Sequence, residues 1–525
     1  MSPKDVTSHP LIARLVQAVG PDHVLTSAED REFYSHDVYR QMATPLAVVR
    51  PGSVDELARV VGMATAEGIA IVPRGGGASY SDGYCATTED SLSIDTTRLN
   101  RMEINERDMF ITVECGVTWA EMYEALKEKG LRTPFWGPFS GLKATVGGSM
   151  SQGSVSMGSS LHGPSADSVL AMEIVLADGT ILKTGSLAAA NGRGHFRHYG
   201  PDLSALFTGD TGAMGVKARI TLRLMRKLPI AMSASFGFAS FEGMAAGMEA
   251  AAKEGAVSDN FGLNPRLQKA WLGRTNMKQS LDAAFAVYKT ARNPIEGLFK
   301  LVRMAVAGKS FLDKSEYSAH FIVEGLDVDH ARSLLAAVRR AVEPHGVEVP
   351  NTIPTVVGSM PFMPLYPIMG PAGERWVPLH GILAFSQVKA FHDKLTALHA
   401  KFAADMERLK IHSAAMFTTI GTTGFLYEPV FYWQDTRHLY HERYLPKEFL
   451  AVLPTYGENP EARVKVEEMR SAIRDAFASC GAVHLQVGKS YPYMKGRDPR
   501  NAAMLKDIKA LLDPKRLMNP GSLGL

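Results

Sequence analysis

Cysteine is scarce in this sequence of 525 residues, which contains only Cys85, Cys115 and Cys480. No two of them form a CxxC pair, so a zinc site or an iron–sulfur cluster held by cysteine thiolates is not expected. So few cysteines in a chain of this length also exclude a fold that depends on disulfide bonds. The cysteine content is therefore typical of a protein from a reducing compartment.

Long apolar runs and a strong net charge are lacking as well. No apolar run reaches the roughly 18 residues that a membrane-spanning helix needs, and residues 1–20 have no apolar core of the kind found in signal peptides. We therefore expect a cytoplasmic protein. The net charge is only +3, which argues against a dedicated nucleic-acid-binding protein because such proteins carry a basic face.

The chain is too long for one ordinary core, and its patterns divide it near residue 229. Before this point, residues 46–74 predict a strand–helix–strand unit with Ser53 as the N-cap of its helix. The pair Asp178-Gly179 separates two β-rich runs and predicts a hairpin. After residue 229, the order of strand and helix patterns predicts a mainly antiparallel sheet covered by helices, which we assign to a second domain.

Glycine and serine are concentrated in three segments, residues 74–79, 141–154 and 209–215. Each segment adjoins a predicted strand, and the first one reads RGGGAS. Glycine has no Cβ atom, so consecutive backbone N–H groups of such loops can approach one anion. A GxxxxGK[ST] motif is absent, which excludes a Walker A site. Three such loops indicate an extended ligand with a diphosphate at its centre, and FAD has this shape.

Four stretches together carry a resemblance to a known family: PRGGGASYSDGY, the segment from KATVGGSMSQG to LADGTILKTG, GPDLSALFTGDTGAMGVKARITLRL, and LLDPKRLMNPGSLG. In order and spacing they resemble the signature segments of flavoproteins of the vanillyl-alcohol oxidase and p-cresol methylhydroxylase (PCMH) superfamily. The resemblance implies an α+β fold, with a two-subdomain, PCMH-type FAD-binding domain interrupted by an α+β cap domain that has an antiparallel sheet. We accordingly assign residues 1–228 to the FAD-binding domain, 229–465 to the cap and substrate domain, and 466–525 to a C-terminal segment that returns to the FAD-binding domain.

The resemblance also implies which residues hold FAD. Carried over position by position, the residues that contact its diphosphate, its ribityl chain and its adenine side are Arg74, Gly75, Gly76, Gly77, Ala78, Ser79, Thr145, Gly147, Gly148, Ser151, Ser154, Gly212 and Val216. Many relatives bond the flavin covalently to a histidine of the first glycine loop, where this chain has alanine. We therefore expect non-covalent FAD, with a covalent bond through His438 or His441 of the cap as the alternative.

The segment that returns to the FAD-binding domain, VHLQVGKSYPYMKG, supplies the first candidate catalytic residues. In relatives that oxidise phenols, the corresponding region supplies a tyrosine and an arginine that bind the phenolate. Here the available groups are Lys489, Tyr491 and Tyr493, any of which could polarise the substrate oxygen. The alternative is that both tyrosines pack the domain interface and that the lysine is solvated.

Two cap segments supply further candidates. In GERWVPLHG, Arg375 could bind a carboxylate and His380 could act as a base. In FLYEPVFYW, strand alternation puts Tyr427 and Glu428 on opposite faces, and Tyr427 could form an aromatic wall of the pocket. The alternative for the first segment is a cap core with a hydrogen-bonded His380 and an exposed Arg375, and for the second it is plain core packing.

The resemblance implies an FAD-dependent oxidase or dehydrogenase, and we expect hydride transfer to the flavin from an aromatic alcohol or para-substituted phenol. An alternative is another hydroxyl substrate, such as a hydroxy acid, with a quinone or cytochrome as electron acceptor. The metal-dependent hydroxy-acid branch has a GHxGDGNxH-like segment that this sequence lacks, so no metal site is expected. More distant alternatives are a non-redox flavoenzyme similar to the ether-lipid synthases and a flavin-binding protein without turnover.

Residues 293–314 combine basic and apolar side chains. This composition favours either an ordinary surface helix or a basic amphipathic helix that makes a peripheral membrane contact. Apart from a small-molecule substrate, expected to be aromatic, we expect no nucleic-acid partner, and we expect the chain to form a homo-oligomer.

Overall fold

The structure, a computed structural model, describes residues 6–268, 316–351, 353–354 and 361–525. The segment 293–314, with its predicted surface or membrane helix, lies outside these described residues. Among the residues within them, no helix is long and apolar enough to cross a membrane. Helices are combined with one mainly parallel sheet and with antiparallel sheets, which confirms the α+β fold predicted from the sequence.

A mainly parallel sheet with flanking helices forms the first part of the chain. Its elements are α1 (Pro10–Val19), β1 (Val24–Leu25), α2 (Ala28–Ser35), β2 (Ala47–Val49), α3 (Val54–Ala66), β3 (Ala70–Arg74) and β4 (Ser91–Asp95). The strand order is β1-β2-β4-β3, and only β1 pairs in the antiparallel sense. Helix α3 begins after the predicted N-cap Ser53, whose hydroxyl accepts a hydrogen bond from the Glu56 amide at 3.2 Å. The predicted strand–helix–strand unit is therefore confirmed.

An antiparallel sheet follows in the chain. Its elements and their neighbours are β5 (Met102–Asn105), β6 (Phe110–Glu114), α4 (Trp119–Lys127), β7 (Leu131–Arg132), α5 (Val146–Gln152), α6 (Ser159–His162), β8 (Val169–Val175), β9 (Ile181–Lys183), β10 (Val216–Arg223) and β11 (Met225–Arg226). The strand order is β5-β6-β10-β8-β9, and β11 pairs with β7. The hairpin predicted at Asp178-Gly179 joins β8 to β9. Segment 141–154 has no periodic pattern, yet it contains α5 because Thr145 Oγ1 caps that helix by accepting from the Gly148 amide.

The part after residue 229 is an antiparallel sheet, named here the cap sheet, with helices on one face. Its elements are β12 (Ile230–Phe238), α7 (Phe241–Lys253), β13 (Val257–Leu263), β14 (Tyr317–Gly325), α8 (Val328–Val342), β15 (Val347–Val349), β16 (Arg375–Pro378), β17 (Gly381–Leu383), α9 (Val388–Arg408), β18 (His412–Ile420) and β19 (Gly424–Trp433). The strand order is β15-β12-β14-β13-β18-β19-β16, and β17 also pairs with β19. In the hairpin of β18 and β19, Met416 lies opposite Glu428. Side chains of the helix-covered face, such as Phe417 and Tyr427, form the cap core with Phe391 of α9.

The last part of the chain contains α10 (Leu439–Tyr444), α11 (Lys447–Ala451), α12 (Pro460–Ser479) and α13 (Pro499–Leu512). Helix α12 packs in the cap core, and the chain then returns to the first sheet. Beyond α13 the chain runs beside β3, where the Ile71 amide donates to Leu517 O and the Asn519 amide donates to Ile71 O, each at 2.7 Å. The Asn519 side-chain amide donates to the carbonyls of Gly83 and Thr211 at 2.7 and 2.6 Å. The end of the chain is therefore bonded to Gly83, which follows the first glycine loop, and to Thr211 of the third glycine-rich segment.

Candidate active site

A cavity of about 320 Å³ lies between the glycine-rich loops and the cap sheet. Every residue implied for cofactor binding lines it except Gly212. Gly212 lies behind the wall with a φ of 76°, and a Cβ atom there would be 2.7 Å from Pro73 Cγ. The three glycine-rich segments, which are far apart in the sequence, thus meet around one cavity.

The first glycine loop, residues 74–79, leaves its backbone N–H groups available. Within the described part of the chain, the amides of residues 75–79 donate to no acceptor. The carbonyls of the same loop are bonded from the other side, since Tyr444 donates to Gly76 O at 2.8 Å and Tyr440 to Gly77 O at 2.6 Å. Backbone groups are normally all paired, so a loop with bonded carbonyls and free amides suits an anionic ligand.

Close packing also requires the glycines of this loop. A Cβ atom on Gly75 would lie 2.2 Å from Thr145 Oγ1, and one on Gly76 would lie 1.5 Å from the Lys143 carbonyl oxygen. Gly77 has a φ of 66°, in the left-handed region that favours glycine. The glycines therefore let the first loop touch the turn before α5, so that both segments face the same cavity.

Arg74 and Lys217 are buried cations at the loop end of the cavity. The Arg74 guanidinium lies 4.9 Å from the centre of the Phe33 ring and 4.8 Å from that of Tyr84. Lys217 forms an ion pair with Asp210. Burial lowers the pKa of Lys217, and the Asp210 carboxylate opposes this effect. Asp210 neutralises Lys217, whereas no carboxylate pairs with Arg74 among the described residues, so the Arg74 charge favours an anion at this end.

The cap end of the cavity has a mostly apolar wall. Its apolar and aromatic side chains are Leu267, Met363, Pro364, Leu365, Pro367, Ile368, Trp376, Met416, Leu426, Val430 and Tyr432. Strand alternation explains which side chains of β19 line the cavity. Those that face it are Leu426, Glu428, Val430 and Tyr432. Tyr427 points to the helix-covered core instead. Glu428 is thus an acidic side chain set in an apolar wall.

The Glu428 carboxyl has no donor or cation paired with it among the described residues, and burial raises its pKa to about 7. Tyr80 lines the same cavity, and its hydroxyl accepts a hydrogen bond from Gln486 Nε2 at 3.0 Å. Burial and then the charge of Glu428 raise the pKa of Tyr80 well above its usual value, so Tyr80 keeps its proton. A carboxyl that titrates near neutrality and a tyrosine hydroxyl can together move a proton and orient a substrate oxygen.

The predicted catalytic residues of the returning segment lie outside the cavity wall. The Lys489 ammonium donates to the carbonyls of Asp82 and Cys85 and to Asn519 Oδ1 at 2.7 Å, so it anchors the C-terminal segment. Burial lowers the pKa of Lys489 to about 8. The Tyr491 hydroxyl accepts from the His380 amide at 2.9 Å. The Tyr493 ring lies 3.7 Å from the Arg497 guanidinium. The contacts of the two tyrosines agree with the packing alternative, whereas Lys489 is buried and bonded to protein oxygens rather than solvated.

The predicted catalytic residues of the cap also lie behind the wall. Arg375 is buried and donates to Tyr39 O and to His438 Nε2. His380 is buried, and burial lowers its pKa to about 3, which keeps the ring neutral. The Tyr427 hydroxyl pairs with His392 Nδ1 at 3.0 Å in the cap core. Arg375 and Tyr427 lie behind the cavity because strand alternation turns their neighbours Trp376 and Glu428 toward it instead.

His438 and His441 are also outside the wall, in a buried cluster with His36 and Arg375. Their rings face one another and the Arg375 guanidinium rather than the cavity. Neither imidazole lines the cavity, so the positions of these two histidines do not support a covalent bond to the cofactor through them.

Sequence reasoning did not select Tyr80, Gln486 or Glu428 as site residues. A signal existed for Glu428, which is an acidic residue in the apolar run FLYEPVFYW, and for Tyr80, which directly follows the first glycine loop. Gln486 gives no such signal, because its position depends on a left-handed backbone (φ of 48°) and on its bond to Tyr80. The missed residues are those whose role depends on contacts between distant segments.

Two family models match the chain. A model described as the FAD binding domain matches residues 45–185, and one described as the C-terminal domain of FAD linked oxidases matches residues 450–523. The first range contains the first glycine loop and α5, and the second contains Gln486 and the anchor Asn519. Both models thus fall on segments that build the cavity or hold it together.

Similar proteins agree with these models. Glycolate oxidase subunit GlcD of Bacillus subtilis (strain 168) is 32% identical over 216 residues, which are 41% of this chain and 44% of that protein. D-2-hydroxyglutarate dehydrogenase of Xanthomonas citri pv. viticola is 31% identical over 218 residues, again 41% and 44% of the two chains. The match therefore spans less than half the length of these curated relatives.

The fold as a whole is similar to that of a solved structure. The crystal structure of p-cresol methylhydroxylase with substrate bound aligns over 98% of this chain and 96% of that one, with a TM-score of 0.74 and 16% sequence identity. The free amides of the first glycine loop, the neighbouring Arg74 guanidinium and the adjoining α5 segment fit the diphosphate of FAD. Residues 45–185 and 450–523 therefore carry the FAD binding domain and the C-terminal domain of FAD linked oxidases, in a fold similar to that of p-cresol methylhydroxylase, and the cofactor is FAD.

Proposed function

We propose that this protein uses FAD to oxidise an uncharged hydroxyl compound with an apolar body, an aromatic alcohol or a para-substituted phenol. The observation that supports this proposal most is the unpaired Glu428 in the otherwise apolar cap end of the cavity. An apolar wall binds an aromatic body through buried area. A carboxylate without a cation beside it favours a neutral partner whose hydroxyl proton it can accept.

The roles of the protein groups follow from their contacts. FAD, when bound, accepts the hydride that leaves the substrate carbon. The Glu428 carboxylate accepts the proton of the substrate hydroxyl, so that the two electrons of the broken C–H bond and the O–H proton leave in opposite directions. Tyr80 donates a hydrogen bond to the substrate oxygen, because its own lone pair already accepts from Gln486.

The orientation of Tyr80 is set by a short chain of hydrogen bonds. The Ser79 hydroxyl donates to Gln486 Oε1 at 2.9 Å, which turns Gln486 Nε2 toward the Tyr80 hydroxyl. Ser79 belongs to the first glycine loop, so the same loop that contacts the cofactor also sets the donor for the substrate. A donor oriented in advance stabilises developing charge without reorganisation.

A second candidate is the oxidation of a 2-hydroxy acid. The names of the two curated relatives favour it, since both act on hydroxy acids by their names. The wall offers less support, because the cations that line the cavity in the described part of the chain, Arg74 and Lys217, are engaged with aromatic rings and with Asp210. A substrate carboxylate at the cap end would instead face Glu428.

Anaerobic reduction of the bound flavin distinguishes the two candidates. We expect benzylic alcohols or para-alkylphenols to bleach the flavin absorbance rapidly, and D-lactate, glycolate and D-2-hydroxyglutarate to bleach it slowly or not at all. Fast bleaching by a hydroxy acid alone would overturn the first candidate in favour of the second. Mixing the reduced protein with oxygen, and separately with a quinone, then identifies the electron acceptor.

A further inference from the structure

We propose that Tyr440 and Tyr444 of α10 are positioning residues for the cofactor. They orient two peptide groups of the first glycine loop so that the amides of Gly77 and Ala78 point to the FAD diphosphate. This inference rests on FAD as the cofactor and is independent of the identity of the substrate.

The orientation follows from peptide geometry. A trans peptide group is planar, and its carbonyl oxygen and the following N–H point in opposite directions. Tyr444 holds the Gly76 carbonyl and thereby directs the Gly77 amide the other way, into the cavity. Tyr440 holds the Gly77 carbonyl and directs the Ala78 amide in the same manner.

The hydroxyls are themselves held in place. Tyr440 is fully buried, and its ring stacks on that of Tyr444 with 4.5 Å between the ring centres. Phe33 of α2 stacks on both rings. Burial raises the pKa of Tyr440 well above its usual value, so its hydroxyl stays a proton donor at all ordinary pH values. Tyr84 adds a third hydroxyl, which lies 2.7 Å from Gly77 O.

The arrangement is preorganised and long-range. Tyr440 follows Gly77 by 363 positions and Tyr444 follows Gly76 by 368. Without these bonds, the flexible glycine peptides could rotate their carbonyls toward the phosphates, where two oxygens of like partial charge repel each other. Helix α10, which follows the cap sheet, supplies both hydrogen bonds that hold the loop. We therefore expect cofactor binding to need this helix in its place.

The test compares three variants of the full-length holoenzyme: Tyr440→Phe, Tyr444→Phe, and the control Tyr34→Phe. Tyr34 donates to Asp95 at 2.5 Å in the same aromatic cluster but does not contact the loop carbonyls. FAD release on dilution, followed by the fluorescence of free flavin, gives the dissociation constant. We expect Tyr444→Phe to raise this constant about three- to tenfold, the range for one lost hydrogen bond, and Tyr440→Phe to raise it by a smaller factor because Tyr84 still reaches Gly77 O. Tyr34→Phe should leave it unchanged.

A second readout separates positioning from a merely structural role. The ³¹P resonances of the bound diphosphate should shift in Tyr440→Phe and Tyr444→Phe and stay unchanged in Tyr34→Phe. If all three variants lose thermal stability equally while FAD release and the ³¹P resonances stay as in the wild type, the proposal is wrong.

If a variant fails to fold, hydrogen exchange of the wild-type protein with and without FAD still tests the orientation of the two amides. Hydrogen exchange of the Gly77 and Ala78 amides should slow sharply when FAD is bound. Fast exchange of both amides in the holoenzyme would contradict the proposal. None of these outcomes depends on the substrate, so they are distinct from a failure of the proposed reaction.

Discussion

The two ends of the cavity are built from different parts of the chain. The loop end presents backbone amides of the first glycine loop and of the segment that contains α5. The cap end presents side chains such as Trp376, Met416 and Glu428, which come from three separate strands. Backbone groups in a glycine loop are arranged by local geometry, whereas a side-chain wall exists only after the strands pair. The difference explains why the cofactor can be inferred from short motifs and the substrate cannot.

The largest effect is expected at the loop end, from Gly76→Ala. The new Cβ atom would lie 1.5 Å from the Lys143 carbonyl oxygen, so the two loops must separate. Overpacking of this kind costs about 1–3 kcal/mol or more. We expect the flavin content of the purified protein to fall to about a tenth or less, because binding weaker by about 2–3 kcal/mol takes a nearly full site to that occupancy at the same concentration of free FAD. The ratio of flavin to protein absorbance measures it.

The matched control for this change is Gly457→Ala. A Cβ atom at Gly457 would meet nothing within 4 Å, so this variant should keep the wild-type flavin content. Full flavin occupancy in Gly76→Ala would show that the contact between the loops is not needed to hold the cofactor.

At the cap end, Glu428→Gln should damage the reaction and leave the cofactor in place. Glutamine has nearly the same size and cannot accept a proton, so the rate of flavin reduction should fall about a hundredfold or more. Anaerobic stopped-flow mixing measures this rate. The control is Glu343→Gln, which changes an exposed carboxylate at the end of α8. An unchanged reduction rate in Glu428→Gln would remove Glu428 from the mechanism.

The pH dependence of the same step sharpens the role of Glu428. Its pKa is raised to about 7, so the carboxyl is protonated below that pH and cannot accept the hydroxyl proton. The rate constant for flavin reduction should therefore fall about tenfold for each pH unit below about 7 and level off above it. In Glu428→Gln this dependence should disappear. A wild-type profile that is flat through neutrality would count against Glu428 as the base.

The smallest expected effects come from single hydroxyls, one on the helix-covered face of β19 and one in the cavity. Tyr427→Phe removes a hydroxyl that bonds His392 in the cap core. Unfolding measurements should show a loss of about 1 kcal/mol in stability, with flavin reduction unchanged within about twofold. Tyr80→Phe is the counterpart in the cavity and should slow flavin reduction about tenfold or more. If Tyr427→Phe slowed the reaction as much as Tyr80→Phe, the assignment of the two faces would be wrong.

Much of the fold follows from local sequence. The N-cap at Ser53, the turn at Asp178-Gly179 and the antiparallel character of the cap sheet could be predicted, because N-caps, turns and alternation depend on neighbouring residues. Helix α5 could not be predicted, since valine, two glycines and two serines of VGGSMSQ are poor helix formers and its start depends on the N-cap Thr145.

The site residues show the same difference between local and long-range determinants. The residues around the first glycine loop were placed on the cavity, whereas Lys489 and Arg375 turned out to bind carbonyl oxygens of other segments. A lysine or arginine in a sequence gives no sign of whether its donors will meet a substrate or the backbone. Tyr427 shows the other limit, because alternation groups residues by face but does not say which face will be covered by helices.

The side chain of Asn519 has a consequence for synthesis. It bridges the carbonyls of Gly83 and Thr211, and Asn519 is synthesised 436 positions after Gly83. These bonds therefore form only after Asn519 has been synthesised, long after the two segments that they join. We expect the nascent chain to hold flavin stably only from that point on.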